Sequence, residues 1–149
     1  MVSTYAIVLT LHILGASIWA GGHLVLALSV LPRALRERRA RLVTDYEHAY
    51  ERVGLPALLV QVITGLWLAH LRLGAVSAWF ANNPLAHVVQ IKLGLLAGTI
   101  ALALHARLKL IPRLTDANLP TLGAHIIAVT TLAVLFVLAG VAFRFGGVG

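Results

Sequence analysis

Apolar residues in this chain neither alternate strand-fashion nor form a narrow helical stripe; they fill four long runs separated by polar stretches. The runs extend from about Thr4 to Leu31, Leu55 to Leu73, Leu85 to Ile111 and Thr121 to Phe143. Crossing a bilayer takes about 20 helical residues, and each run is close to that length or longer. Hydrocarbon offers no partner to a backbone N–H or C=O, so a spanning segment must bond internally. The helix does this within one segment. The pattern predicts an all-α, integral membrane four-helix bundle, with residues 1–149 as one domain. Pro32, Pro56, Pro84, Pro112 and Pro120 fall near the run ends, where helices tolerate proline. Asn82-Asn83-Pro84 and Thr115-Asp116-Ala117-Asn118 read as turns and caps. The first run lacks the basic lead-in and short core of a cleavable signal and is expected to remain as a span.

Composition agrees: 60% of residues are hydrophobic and 11% charged, against about half and a quarter in soluble domains. An ordinary water-soluble enzyme is excluded. The chain has no cysteine, which excludes iron–sulfur clusters, thiolate metal sites, disulfides and covalent c-type haem. The single methionine, at position 1, offers no thioether path for cuprous copper.

The formal net charge is +7, and its placement matters more than its size. The connection over about 32–53 carries Arg33, Arg36, Arg38, Arg39, Arg41 and Arg52; Arg107, Lys109 and Arg113 follow the third run. These basic residues sit beside long apolar segments and read as cytoplasmic loops, not as a nucleic-acid surface. The positive-inside rule predicts both termini outside (N-out/C-out) in the cell's inner, cytoplasmic membrane. Residues 34–52 mix charge with Leu42, Val43, Tyr46 and Tyr50, a composition that predicts a short interfacial helix.

Of seven histidines, His12, His23, His70, His87, His105 and His125 fall in or at the edge of spans; His48 lies in the basic connection. An intramembrane imidazole needs a partner, and no acidic residue lies in any predicted span. His12 and His23 are eleven residues apart, about 16 Å along a helix and within about 20° of the same direction. With the predicted topology, His12, His70 and His87 form an outer layer, and His23, His105 and His125 an inner one. Imidazole pairs at two depths, with an apolar slot beside Gly15, Ala16, Trp19 and Gly22, suit haem b. The expected axial pairs are His12 with His70 and His23 with His105, with His87 and His125 as alternatives. Arg72 and Arg107 are placed to meet haem propionates. Lys92, the one basic residue well inside a span, is placed for a propionate, quinone or substrate contact, or snorkels to the surface. No catalytic residue is assigned.

Several of these residues carry a resemblance. Leu11-His12, Trp19-Ala20-Gly21, Leu31-Pro32-Arg33, Glu51-Arg52, Pro56-Ala57-Leu58, Thr64-Gly65-Leu66-Trp67-Leu68, Lys92-Leu93 and His105 are similar to the superfamily of copper-resistance protein D and the HemJ-type protoporphyrinogen oxidases. The resemblance implies a four-helix bundle able to hold haem b, with His12 a ligand, Lys92 functionally placed and oligomers allowed. HemJ-type proteins usually carry Asn-Glu-Pro entering the last span, where this chain reads Leu122-Gly123-Ala124-His125.

Four functions follow as expectations. The first is a di-haem b-type cytochrome that carries electrons in or across the membrane and exchanges with the quinone pool or a membrane redox partner. The others are a HemJ-like quinone-linked oxidase, a copper-handling membrane protein, and an accessory subunit of a respiratory complex.

Overall fold

The apolar runs fold as helices, and four helical rods are long and apolar enough to cross a membrane. The computed structural model describes residues 3–147, and these form no strand. Helix α1 spans Thr4–Val25, with the Ser3 hydroxyl accepting from the Ala6 amide at 3.2 Å. A π-type turn, Leu26–Val30, joins it to α2, Leu31–Glu37, which carries Pro32 in its first turn. Arg38 then takes a left-handed conformation (φ 51°) and ends the rod. Helix α3 runs from Arg41 to Leu73, and a 3₁₀ turn at Val76–Phe80 leads on towards α4, Pro84–His105. Asn83 caps α4 by accepting from the Ala86 amide at 2.9 Å. A π-type turn (Ala106–Leu110) and a 3₁₀ turn (Ile111–Arg113) precede α5, Leu119–Arg144.

The basic connection differs from its sequence reading. Residues 34–52 hold no separate interfacial helix: they comprise the end of α2, a break at 38–40 and the first turns of α3. Pro56 therefore lies inside a helix instead of at its start. The 33 residues of α3, at about 1.5 Å each, make a rod of about 50 Å. Hydrocarbon is only about 30 Å thick, so the charged Arg41–Arg52 portion continues the helix beyond the apolar slab, where charge costs little.

Helices α1 and α3 pack closely, α4 packs on α5, and α5 also packs on α1. The buried residues of α3 recur at alternating steps of three and four: Gly54, Ala57, Gln61, Thr64 and Leu68. Val8, Gly15 and Trp19 form the matching stripe on α1. This spacing lets neighbouring helices interdigitate at shallow angles. A Cβ on Gly15 would stand 2.9 Å from the Ala57 carbonyl, so the two backbones approach as only glycine allows.

Leu26, Leu31, Ala34, Val43, Leu119 and Leu122 form an apolar core at the basic end. The Ala40 amide donates to Asp116 Oδ1 at 2.7 Å, which ties the α2–α3 break to the α4–α5 loop. Outward-facing apolar residues such as Ile13, Leu59 and Ile127 remain exposed. That surface is what lipid contact requires, and the chain is a multi-pass membrane protein.

Candidate functional site

Inside an apolar bundle, the informative groups are polar side chains that point inward. They gather at three places. Towards the N-terminal end of α1, His12 leans on α3: its Nδ1 lies 3.0 Å from the Gln61 carbonyl and 3.0 Å from Thr64 Oγ1. The Thr64 hydroxyl donates to the Val60 carbonyl at 2.6 Å. A proton on Nδ1 satisfies Gln61, so the lone pair falls on Nε2. A Cβ on Gly65 would stand 3.1 Å from His12 Cε1, so glycine makes room for the ring. Lys92 of α4 is within electrostatic reach of His12, and its ammonium lies alongside Gly140 of α5.

The second place lies nearer the basic end. His23 meets Trp19 edge-on, centroids 4.4 Å apart, and Tyr50 at 5.8 Å, both at 74°. Tyr46 stacks on Tyr50 at 5.8 Å. The Tyr46 hydroxyl donates to the Gly22 carbonyl at 2.8 Å, and that of Tyr50 to the Trp19 carbonyl at 3.0 Å. Both ring nitrogens of His23 are buried without a hydrogen bond among the described residues.

The third place joins α4 to α5. His105 Nδ1 and His125 Nε2 are 2.9 Å apart, with ring centroids at 4.9 Å. His105 is exposed and His125 half-buried. Two residues on, Arg107 pairs with Glu51 of α3.

The expected axial pairs are not brought together. His70 lies nine residues beyond Gln61, about 13 Å along α3 and half a turn round it, and its Nδ1 bonds the Gly74 carbonyl at 2.9 Å. His105 bonds His125, the alternative inner ligand, instead of His23. His87 Nε2 lies 3.0 Å from Asn82 Oδ1 beside the α4 cap. Arg72 stacks its guanidinium over Phe143, 5.7 Å from the ring centre. Arg107 is engaged by Glu51. A bis-imidazole haem needs two rings facing across a slot. Neither His12–His70 nor His23–His105 supplies that here, so the residues do not fit two haems in the expected pairing.

Sequence reading missed Tyr46, Glu47, Tyr50 and Glu51 as parts of the bundle, because they fell in a stretch read as a connection. The signal was there: Tyr46–Tyr50–Gly54 and Glu47–Glu51 keep helical i, i+4 spacing into the span. Among the described residues no three of His, Cys, Asp and Glu converge as a preformed metal cluster. The two imidazoles that do meet are those of His105 and His125, which bring two ring nitrogens together from neighbouring helices.

Residues 44–143 match the family described as copper resistance protein D, CopD. That stretch includes His105 and His125 but not His12 or His23. No curated protein and no solved structure matches the chain significantly. With about two thirds of its length matched, the chain belongs to the copper resistance protein D family.

Proposed function

We propose that this protein handles copper within the membrane and that the His105–His125 pair holds the ion as cargo. The observation that carries this reading is the meeting of two imidazoles from α4 and α5 at 2.9 Å, inside the region matched to the family. At that separation one ring donates its N–H to the other. A copper ion takes the place of the shared proton, which shifts to the other nitrogen of the donating ring, so both rings stay neutral and each offers a lone pair. Imidazole is a good copper ligand. Metal–imidazole bonds of about 2.0 Å require the two nitrogens to part by about 1 Å, a small change for side chains at the bundle's rim. By the positive-inside rule, the basic end, with this pair near it, faces the cytoplasm of a cell whose cytoplasmic membrane holds the protein.

The test is metal analysis of the purified chain after copper loading, beside His105→Ala/His125→Ala. The wild type retains copper through washing, and the double variant loses at least one equivalent. Cells that depend on the protein change their copper tolerance in the same sense. Wild-type protein that retains no copper refutes the reading.

One observation favours a second reading, a single b-type haem with quinone as its electron partner. His12 Nδ1 is held by the Gln61 carbonyl, which orients Nε2 as a ligand. A pyridine haemochrome spectrum decides it: haem that disappears with His12→Ala supports this reading, and protein expressed with ample haem but free of it refutes it.

A further inference from the structure

A cleft at the basic end carries side chains of both charges. It lies between the α2–α3 break and the α4–α5 loop and holds about 440 Å³, within the range of small-molecule sites. Arg41 and Thr44 of α3 line one side, and Ile111, Leu114, Thr115 and Asp116 the other. The third apolar run ends at Ile111, so the cleft sits where hydrocarbon gives way to headgroups. Ile111 is exposed, as is Leu108 three residues before it. The apolar side of the cleft thus continues into surface of the kind that lipid chains cover.

On the polar side, the unused bonding capacity has two signs. Arg41 makes one loose ion pair, from Nε to Asp45 at 3.6 Å, which leaves its Nη donors for another anion. Thr115 Oγ1 accepts from the Asn118 amide at 3.4 Å, so its own O–H can donate. Asp116 accepts from the Ala40 amide through Oδ1 alone, and no cation pairs with it among the described residues. Its Oδ2 is open to an N–H cation. The Thr44 hydroxyl donates to the Arg41 carbonyl at 3.1 Å, which leaves it lone pairs to offer.

A ligand that uses all of these groups carries a phosphate, a primary ammonium a short tether away, and acyl chains. An anionic headgroup without an amine would set Asp116 against phosphate. A quaternary ammonium has no N–H for Asp116 or Thr44 to accept. We infer that this cleft seats the headgroup of a phosphoethanolamine phospholipid, with phosphate on Arg41 and Thr115, ammonium on Asp116 and Thr44, and chains leaving past Ile111 and Leu114. Copper has no part in this site.

The test is native mass spectrometry of the full chain in detergent, titrated with dioleoyl phosphatidylethanolamine, phosphatidylglycerol or phosphatidylcholine. Wild type takes up one equivalent of the ethanolamine lipid about threefold to fivefold more tightly than either of the others, as one solvent-edge charge pair provides. Asp116→Asn keeps an oxygen for the Ala40 amide but sets an N–H against the ammonium. It loses the preference over phosphatidylcholine and binds phosphatidylglycerol better than wild type does. Arg41→Gln weakens all three lipids. Thr115→Val, in an exposed loop, acts in the same sense and carries the measurement should Arg41→Gln lose monodispersity. Arg144→Gln, at the end of α5, leaves the preference intact. Glycerophosphoethanolamine, the same headgroup without chains, does not displace the lipid. Equal binding of the three lipids by wild type overturns the site, as does an ethanolamine preference that survives Asp116→Asn. Displacement by an equal concentration of glycerophosphoethanolamine reveals a site for the free headgroup and overturns the lipid assignment.

Discussion

Gly21 and Gly22 are adjacent in α1, yet they face different worlds. A Cβ at position 22 would stand 2.1 Å from Cε2 of Tyr50, a rigid ring whose hydroxyl is fixed on α1 carbonyls. A Cβ at position 21 would meet nothing within 4 Å. Gly22→Ala must therefore push Tyr50 off α1, and forced overpacking costs about 1–3 kcal/mol. Gly21→Ala removes helix-interior glycine in open space and gains up to about 1 kcal/mol. For a chain of this length each kcal/mol moves Tm by about 2–4 °C. Thermal unfolding in detergent should show Gly22→Ala several degrees down and Gly21→Ala level or up. Equal shifts would mean that Tyr50 does not pack on Gly22. The same contact holds Tyr50 against His23, so Gly22→Ala also disturbs the packing around that imidazole.

At the scale of elements, the hydropathy of the chain made four rods legible, because a helix that meets lipid must be apolar on every outward side. The Asn83 cap and the first-turn places of Pro84 and Pro120 were legible for the same kind of local reason. The start of α3 was not. Its Arg41–Arg52 portion carries Arg41, Asp45, Glu47, Glu51 and Arg52, which break an apolar run while leaving the inward 3–4 spacing intact. The histidine layers came from depth, which residue count supplies. The pairs depend on rotation, and about 100° per residue turns a small error of phase into a different partner, here His125 for His23. The link between elements at the basic end was also hidden, since Asp116 reaches the Ala40 amide across 76 residues of sequence. Asp116→Ala removes the acceptor that caps this break and should cost about 1 kcal/mol. Asp116→Asn keeps an oxygen there and should recover most of it. Amide exchange over residues 40–44 reads the difference, faster in Asp116→Ala than in Asp116→Asn; identical exchange in both would show that the bond contributes nothing.

For the whole molecule, charge sets direction. Nine of the twelve Lys and Arg residues fall between Arg33 and Arg52 or between Arg107 and Arg113, while Arg72 and Arg144 lie towards the other end and Lys92 within the bundle. All five acidic residues share the basic end, where Glu37, Asp45 and Glu51 form ion pairs with arginines. Net charge there is thus smaller than the count of basic groups suggests. Lys and Arg nonetheless dominate insertion, and acidic residues contribute little. The absence of cysteine allows a direct test, because a single introduced thiol is the only one in the chain. Ser77 lies exposed in the 3₁₀ turn between α3 and α4, and Ala117 is exposed in the loop before α5. In intact cells stripped of any outer barrier, a membrane-impermeant maleimide should label Ser77→Cys, and it should reach Ala117→Cys only after permeabilisation. That result places the His105–His125 pair beside the cytoplasmic leaflet, the side from which the proposed copper cargo would meet it. The opposite labelling would invert the bundle, overrule the positive-inside reading for this chain and move the pair to the external face.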